Sequence, residues 1–433
     1  MGSSINVALP AIGKDLSMHA VVLGWVATAY LLASAMLLVP FGRLADIYGR
    51  KKLFTIGMVI YTAGSLVATL SNSSAMLIAT RVVQGIGGSM IFSSGTAILT
   101  SAFPARERGR ALGINTAAIY LGLSAGPFLG GLLTQHFGWR SVFLLNVPLG
   151  IIVIAAVFWR FRGDWAEAKG ERFDIIGSVL YSLMLLVMIY GFTLLPGMLG
   201  VVFIAAGALG LAIFVWWEMR ADSPVLNIGL FRKNTVFAMS NLAALINYSA
   251  TFAVGFLLSL YLQYNKGLSP RDAGIVLVAA PVIQAIFSPM AGRLSDRVEP
   301  RLVASVGMGL TAAGLFMFTF LNSSTSISYI VMALVILGFG FALFSSPNTN
   351  AVMSSVQNRS FGVASATLAT MRQVGMMLSM GLAMLLFALN MGRVQISPEH
   401  YPMLLTSVHT AFIVYTLLCV GGIFASLARG KMR

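Results

Sequence analysis

Two arginines stand inside long apolar runs, and they are the residues whose chemistry demands most explanation. Arg81 is followed by Gln84, Gly85 and Gly88, a spacing that places a cation, an amide and two small residues on one helical face. Arg372 is followed by Gln373 and Gly375. A guanidinium in an apolar run is costly unless it meets water, a solute or backbone carbonyls, so each arginine is either a binding group or a tie between helices. Acids are absent at the same positions: of 13 Asp and Glu residues none lies well inside an apolar run, and Asp15, Asp174 and Glu218 sit only at run ends. The histidines His19, His136, His400 and His409 are far apart, and Cys419 is the single cysteine. This pattern gives no metal cluster and no intramolecular disulfide. No G-x-x-x-x-G-K-[ST] phosphate loop occurs, which argues against ATP hydrolysis. The residues point to binding and passage of a solute, and no clustered catalytic set suggests an enzyme.

The elements that must hold these residues follow from composition. In 433 residues, 58% are hydrophobic and 9% charged, too little polar surface to coat a soluble globule. Apolar runs of about 20 residues, the length that crosses a bilayer, recur along the chain. They predict a partial first helix over Met1–Gly13, then spans near Ala20–Phe41, Leu53–Leu70, Ala75–Leu99, Ala111–Leu133, Ser141–Phe161, Ile175–Leu195 and Met198–Trp217. Six more follow near Thr235–Leu262, Ala273–Ala291, Leu302–Leu321, Ile327–Phe344, Gly362–Leu389 and Leu404–Leu427, giving fourteen. The first reads as the second half of a helix, so it is expected to be truncated.

The basic residues set an orientation. Alternate loops and the C-terminal tail hold 21 of the 28 Lys and Arg, the opposite loops five, and Arg81 and Arg372 lie within spans. Positive charge is retained in the cytoplasm, so both termini are expected there. The net charge of +15 then finds its partner in the lipid bilayer, with no nucleic acid involved.

One loop is repeated. Gly42-Arg43-Leu44-Ala45-Asp46, leading to Gly49 and Arg50 after span two, is echoed by Gly292-Arg293-Leu294-Ser295-Asp296 after span ten. The repeat suggests two homologous bundles of six helices with two helices inserted between them, an arrangement that suits alternating access. The predicted divisions are an N-terminal bundle at 1–161, the inserted pair with cytoplasmic linkers at 162–234, and a C-terminal bundle at 235–433.

These motifs together resemble the major facilitator superfamily, and within it the fourteen-helix drug:proton antiporter family of EmrB/QacA type. Gly42 to Lys52 is similar to the superfamily's G-x-L-a-D-r-x-G-r-k signature, Arg81 to Gly85 to its R-x-x-Q-G motif, and Arg372 to Gly375 to a C-terminal R-x-x-G element. Gly122, Gly126, Pro127, Gly130 and Gly131 match the G-x-x-x-G-P-x-x-G-G motif associated with antiporters. Glycines at this spacing let helices approach closely, and the proline can bend the span. The family's first-helix aspartate has no counterpart here: its place is Met1.

The resemblance implies an all-α polytopic membrane protein of the plasma membrane, an exporter of small hydrophobic or amphipathic compounds driven by a proton or other ion gradient, without cofactors. The expected cavity or coupling residues are Asn6, Trp25, Tyr30, Arg81, Gln84, Asn115, Tyr120, Asn241, Tyr248, Gln284, Asn348 and Arg372. Gly42, Asp46, Gly49, Arg50 and Asp296 would form a conformational latch. Export or facilitated passage of a small anionic metabolite is the alternative, motivated by two arginines without acids.

Overall fold

The apolar runs become helices because a backbone in lipid must satisfy its polar groups within the segment. The computed structural model describes residues 2–102, 108–160, 164–166, 168–221, 224–226, 228–356, 361–392 and 394–430. In chain order the helices are α1 (Gly2–Asp15), α2 (Ala20–Tyr48), α3 (Arg50–Thr69), α4 (Ser74–Ala102), α5 (Arg108–Phe137), α6 (Arg140–Leu144), α7 (Asn146–Arg160), α8 (Ile175–Leu194) and α9 (Met198–Glu218). There follow α10 (Ile228–Lys233), α11 (Thr235–Thr251), α12 (Val254–Leu260), α13 (Pro270–Leu277), α14 (Ala279–Arg297), α15 (Pro300–Phe318), α16 (Ile327–Ser354), α17 (Phe361–Asn390) and α18 (Tyr401–Leu427).

Each of the fourteen predicted segments is helical. Among the described residues, twelve helical stretches are long and apolar enough to cross a membrane. The other two predicted segments correspond to α1, which has 14 residues, and to α5. Helix starts are written in the sequence: Asp174, Asn234, Ser269 and Ser326 each accept a hydrogen bond from a backbone N–H of the first turn of α8, α11, α13 and α16. Several helices outrun their predicted spans, α2 to Tyr48 and α16 to Ser354 among them. The basic and polar residues that mark the edge of the apolar layer are themselves helical.

The helices group into two compact units. One gathers residues 1–24, 117–139 and 229–433. In it Ser259 Oγ of α12 donates to the Asn6 carbonyl of α1 at 2.6 Å, and Gln263 Nε2 donates to the Val7 carbonyl at 2.9 Å. The predicted span at Thr235–Leu262 is broken between α11 and α12, where Ala253 N–H donates to Ser379 Oγ of α17 instead of continuing the helical ladder. A π-helical turn over Tyr261–Asn265 ends it. The other unit gathers residues 25–116 and 140–228. There the hairpin of α8 and α9 joins α2 through Tyr181 Oη and Ser182 Oγ, which donate to the carbonyls of Ala35 and Met36.

Candidate functional site

The first predicted arginine is a tie within its own unit. Arg81 is 2% exposed, its Nε donates to the Val26 carbonyl at 2.8 Å and its Nη1 to Gln84 Oε1 at 2.5 Å. Gln84 Nε2 passes the chain on to Ser65 Oγ at 2.8 Å. The guanidinium lies 4.4 Å from the centre of the Tyr30 ring. Gly85 and Gly88 bring α4 against α2, with Tyr30 filling the space a Cβ on Gly88 would need. Three helices are therefore joined by one charged group that spends its donors on a carbonyl, an amide and an aromatic face. Trp25 stands 6.5 Å from the Tyr190 ring of α8. Asn115 is half-buried on α5, and the side chain of Tyr120 lies outside the described residues.

The second arginine belongs to the other unit and is less fully used. Arg372 Nη2 donates to Thr349 Oγ1 at 2.6 Å, and its guanidinium lies 5.6 Å from the Tyr248 ring centre. Its Nε is buried without a hydrogen bond. Tyr248 packs edge-on against Phe341 at 5.3 Å, and Gly375 rests against the Tyr248 Cβ and the Leu245 carbonyl. Both units thus place an arginine on a tyrosine face, with a glycine one or two turns later setting the helix approach. Both amide atoms of Asn348 and of Asn247 and the hydroxyl of Thr370 are buried with no hydrogen bond among the described residues. Asn247 and Asn348 stand next in sequence to Tyr248 and Thr349, the two residues that contact Arg372, and buried amides of this kind normally have a partner. Asn241 donates to the Phe237 carbonyl while its Oδ1 is unbonded, and Gln284 is half-buried on α14. Asn247, Thr349, Phe341 and Ser65 were not foreseen. Their only sequence signal is a polar or aromatic side chain in an apolar run.

The signature loop is closed by the linker that follows α7. Asp46 accepts from Arg50 Nε at 2.8 Å and Nη2 at 2.7 Å. Gly49 has φ 114°, and Asp164 occupies the space beside it where a Cβ would go. The Asp164 carboxylate accepts from the Lys51 and Lys52 N–H groups at 2.8 and 3.1 Å, capping α3. Arg50 N–H donates to the Trp165 carbonyl, Ala168 N–H to the Asp46 carbonyl, and Arg43 pairs with Glu171. Gly42 sits beside Ser93 of α4. In the repeated loop the side chain of Asp296 lies outside the described residues, while Ser295 Oγ accepts from Asn350 Nδ2 at 3.1 Å.

The glycine motif of α5 makes close approaches inside the first unit. Gly126 and Gly130 meet Ser3 and Ser4 of α1, Gly131 meets the Pro270 carbonyl, and the Pro127 carbonyl touches Gly274 of α13. Among the described residues, Gly122 meets nothing within 4 Å.

Comparison with known proteins adds a second line of observation. The profile of the Major Facilitator Superfamily matches residues 1–378 and 240–431. Riboflavin transporter RibZ of Clostridioides difficile (strain 630) is 30% identical over 98% of this chain and 93% of its own length. The tetracenomycin C resistance and export protein of Streptomyces glaucescens is 31% identical over 90% of this chain and 73% of its own. Multidrug resistance protein Stp of Mycobacterium tuberculosis (strain CDC 1551 / Oshkosh) is 31% identical over 86% and 70%. Among solved structures, an inward-facing, unoccupied bacterial homologue of the human lysosomal transporter Spinster superposes with TM-score 0.71 at 16% identity, covering 99% of this chain and 93% of that one. A point mutant of the nucleoside transporter NupG gives TM-score 0.68 at 12% identity, over 99% and 96%.

Proposed function

The chain belongs to the major facilitator superfamily, and from that premise we propose that it exports small hydrophobic or amphipathic compounds by proton antiport with alternating access. It is an integral membrane transporter and not an enzyme. The observation that carries the export reading is the Arg372 site: its guanidinium lies on the Tyr248 ring, Tyr248 stands edge-on to Phe341, and the same two helices carry the unbonded amides of Asn247 and Asn348. Such a surface suits a ring system with a few polar edges. Relatives named for tetracenomycin C export and multidrug resistance support the same class. The proposal includes the fourteen-helix architecture, the division at 1–161, 162–234 and 235–433, a place in the plasma membrane with both termini in the cytoplasm, and an ion gradient as the driving force. Arg81, Gln84 and Tyr30 tie helices near the passage. Asp46 and Arg50 work as the latch.

A second reading is favoured by one specific feature. Arg372 Nε is buried and unbonded, and among the described residues no carboxylate pairs with that guanidinium, so a small anionic metabolite fits the cluster as well. Uptake into proteoliposomes separates the two. With a cationic dye, a neutral polycyclic aromatic and an organic anion offered together, export of amphipathic compounds requires that the dye or the neutral compound be carried and that Arg372→Gln reduce transport at least tenfold. Transport of the anion alone would overturn it in favour of the second reading.

A further inference from the structure

Where α8 begins and α9 ends, two carboxylates of the inserted hairpin meet. Asp174 is the N-cap of α8: its Oδ1 accepts from the Gly177 N–H at 2.8 Å. Trp217 Nε1 of α9 donates to both Asp174 oxygens, at 3.2 and 3.0 Å. These donors and the helix N-terminus are complementary to a carboxylate anion. Glu218 is the next residue after Trp217 and is 4% exposed. Its Oε2 accepts from the Leu226 N–H at 2.8 Å, but its Oε1 is buried and receives no hydrogen bond.

Gly177 lets these groups converge. A Cβ there would collide with Asp174 Oδ2 and Glu218 Oε1 together, which puts the two oxygens within about 5 Å of each other. A carboxylate oxygen with no donor, buried beside a second carboxylate, is the arrangement in which one proton is shared, because two like charges at this range disfavour joint ionisation. Among the described residues, nothing else charged is aimed at the pair. Arg220 stacks on the Trp216 ring at 4.3 Å and bonds the Trp216 carbonyl, Arg172 is exposed, and the segment over 224–226 contributes backbone N–H groups.

We propose that Asp174 and Glu218 form a proton-binding site at the base of the inserted hairpin, in which Glu218 Oε1 carries one proton and donates it to Asp174 Oδ2. On release the proton passes to water, both side chains become anions, and their repulsion loosens the contact between the start of α8 and the end of α9. The segment over 224–226, held to Glu218 through Leu226, leads on to α10 and α11, so the charge change reaches the connection to the later helices. The site goes beyond the export reading and stands whether or not transport is proton-driven. It also supplies a titrating carboxylate that the interiors of the spans lack.

Infrared difference spectroscopy of the full chain in lipid nanodiscs, recorded against pH without any transport substrate, tests it. The expected result is a protonated-carboxyl band present at neutral pH and lost as the pH rises, missing in Glu218→Gln and unmoved by exchanging sodium for choline. Trp217→Phe, which removes two hydrogen bonds from ionised Asp174, should shift the loss of the band to higher pH. This second variant keeps the test open if Glu218→Gln does not fold. Persistence of the same band in folded Glu218→Gln, absence of any such band in the parent, no shift in Trp217→Phe, or a midpoint displaced by sodium would each overturn the proton site. Failure of the export reading would leave all these results unchanged, since no substrate is involved.

Discussion

At the residue scale, a buried arginine is decided by what its nitrogens find. Arg81 spends Nε on Val26 and Nη1 on Gln84 with Tyr30 beneath, whereas Arg372 holds one partner and keeps Nε unbonded. Lysine cannot reproduce a planar fork that reaches a carbonyl, an amide and a ring at once. Arg81→Lys and Arg81→Ala are therefore both expected to reduce transport at least tenfold at normal membrane levels, and full transport by Arg81→Ala would leave the residue without a functional role. Arg429 poses the opposite case. It is 1% exposed, bonds Ser426 Oγ, and leaves Nε and Nη1 unbonded, and burial pushes its guanidinium down to about 10. A basic group whose folded value lies below its unfolded one penalises the fold at neutral pH, and the penalty lifts only as pH rises through about 10. Arg429→Met is expected to raise the unfolding temperature at neutral pH, gaining about 1–4 kcal/mol, with the gain shrinking above about pH 10. A lower unfolding temperature would show that the charge is needed.

At the scale of elements, the signature loop gains a partner that no motif announced. Asp46 and Arg50 were legible as a pair because they stand four apart on one turn of helix. Asp164 was not, since its role depends on a linker folding back over more than a hundred residues to cap α3. The same limit hid the break at Ala253, whose acceptor Ser379 lies on a helix remote in sequence. Gly49 measures the loop's strain. Alanine there would adopt φ 114°, ψ 124°, a sparsely populated region costing roughly 1–3 kcal/mol, and drive its Cβ into the Asp164 carboxylate. Gly49→Ala is expected to lower stability by at least that amount in thermal unfolding, and Asp164→Ala by about 0.5–2 kcal/mol through the lost cap. If Gly49→Ala unfolds like the parent, the loop does not need its glycine. Asp46→Asn is expected to slow transport while leaving substrate binding intact, measured by equilibrium dye binding beside the transport rate. Unchanged transport would reduce the loop to a cytoplasmic anchor.

At the scale of the molecule, most of the architecture could be read from the chain because lipid imposes a strong pattern. Apolar runs become helical at the predicted places, and among the described residues twelve of the helical stretches are long and apolar enough to cross a membrane. Helix ends were less legible, because charged residues after α2's predicted span and polar ones after α16's mark the edge of the apolar layer and not the end of the hydrogen-bond ladder. The alternation of basic loops, 21 residues against five, makes the orientation testable. A reporter fused after Arg433 should be active only in the cytoplasm, and one near Asn322 only outside. The central claim is export in exchange for protons, and inverted membrane vesicles give its most direct measurement. With the vesicle interior made acidic, uptake of a fluorescent amphipathic substrate should follow the imposed pH difference and collapse when a protonophore removes it. Uptake at the same rate without the gradient, or none despite correctly inserted protein, would contradict it.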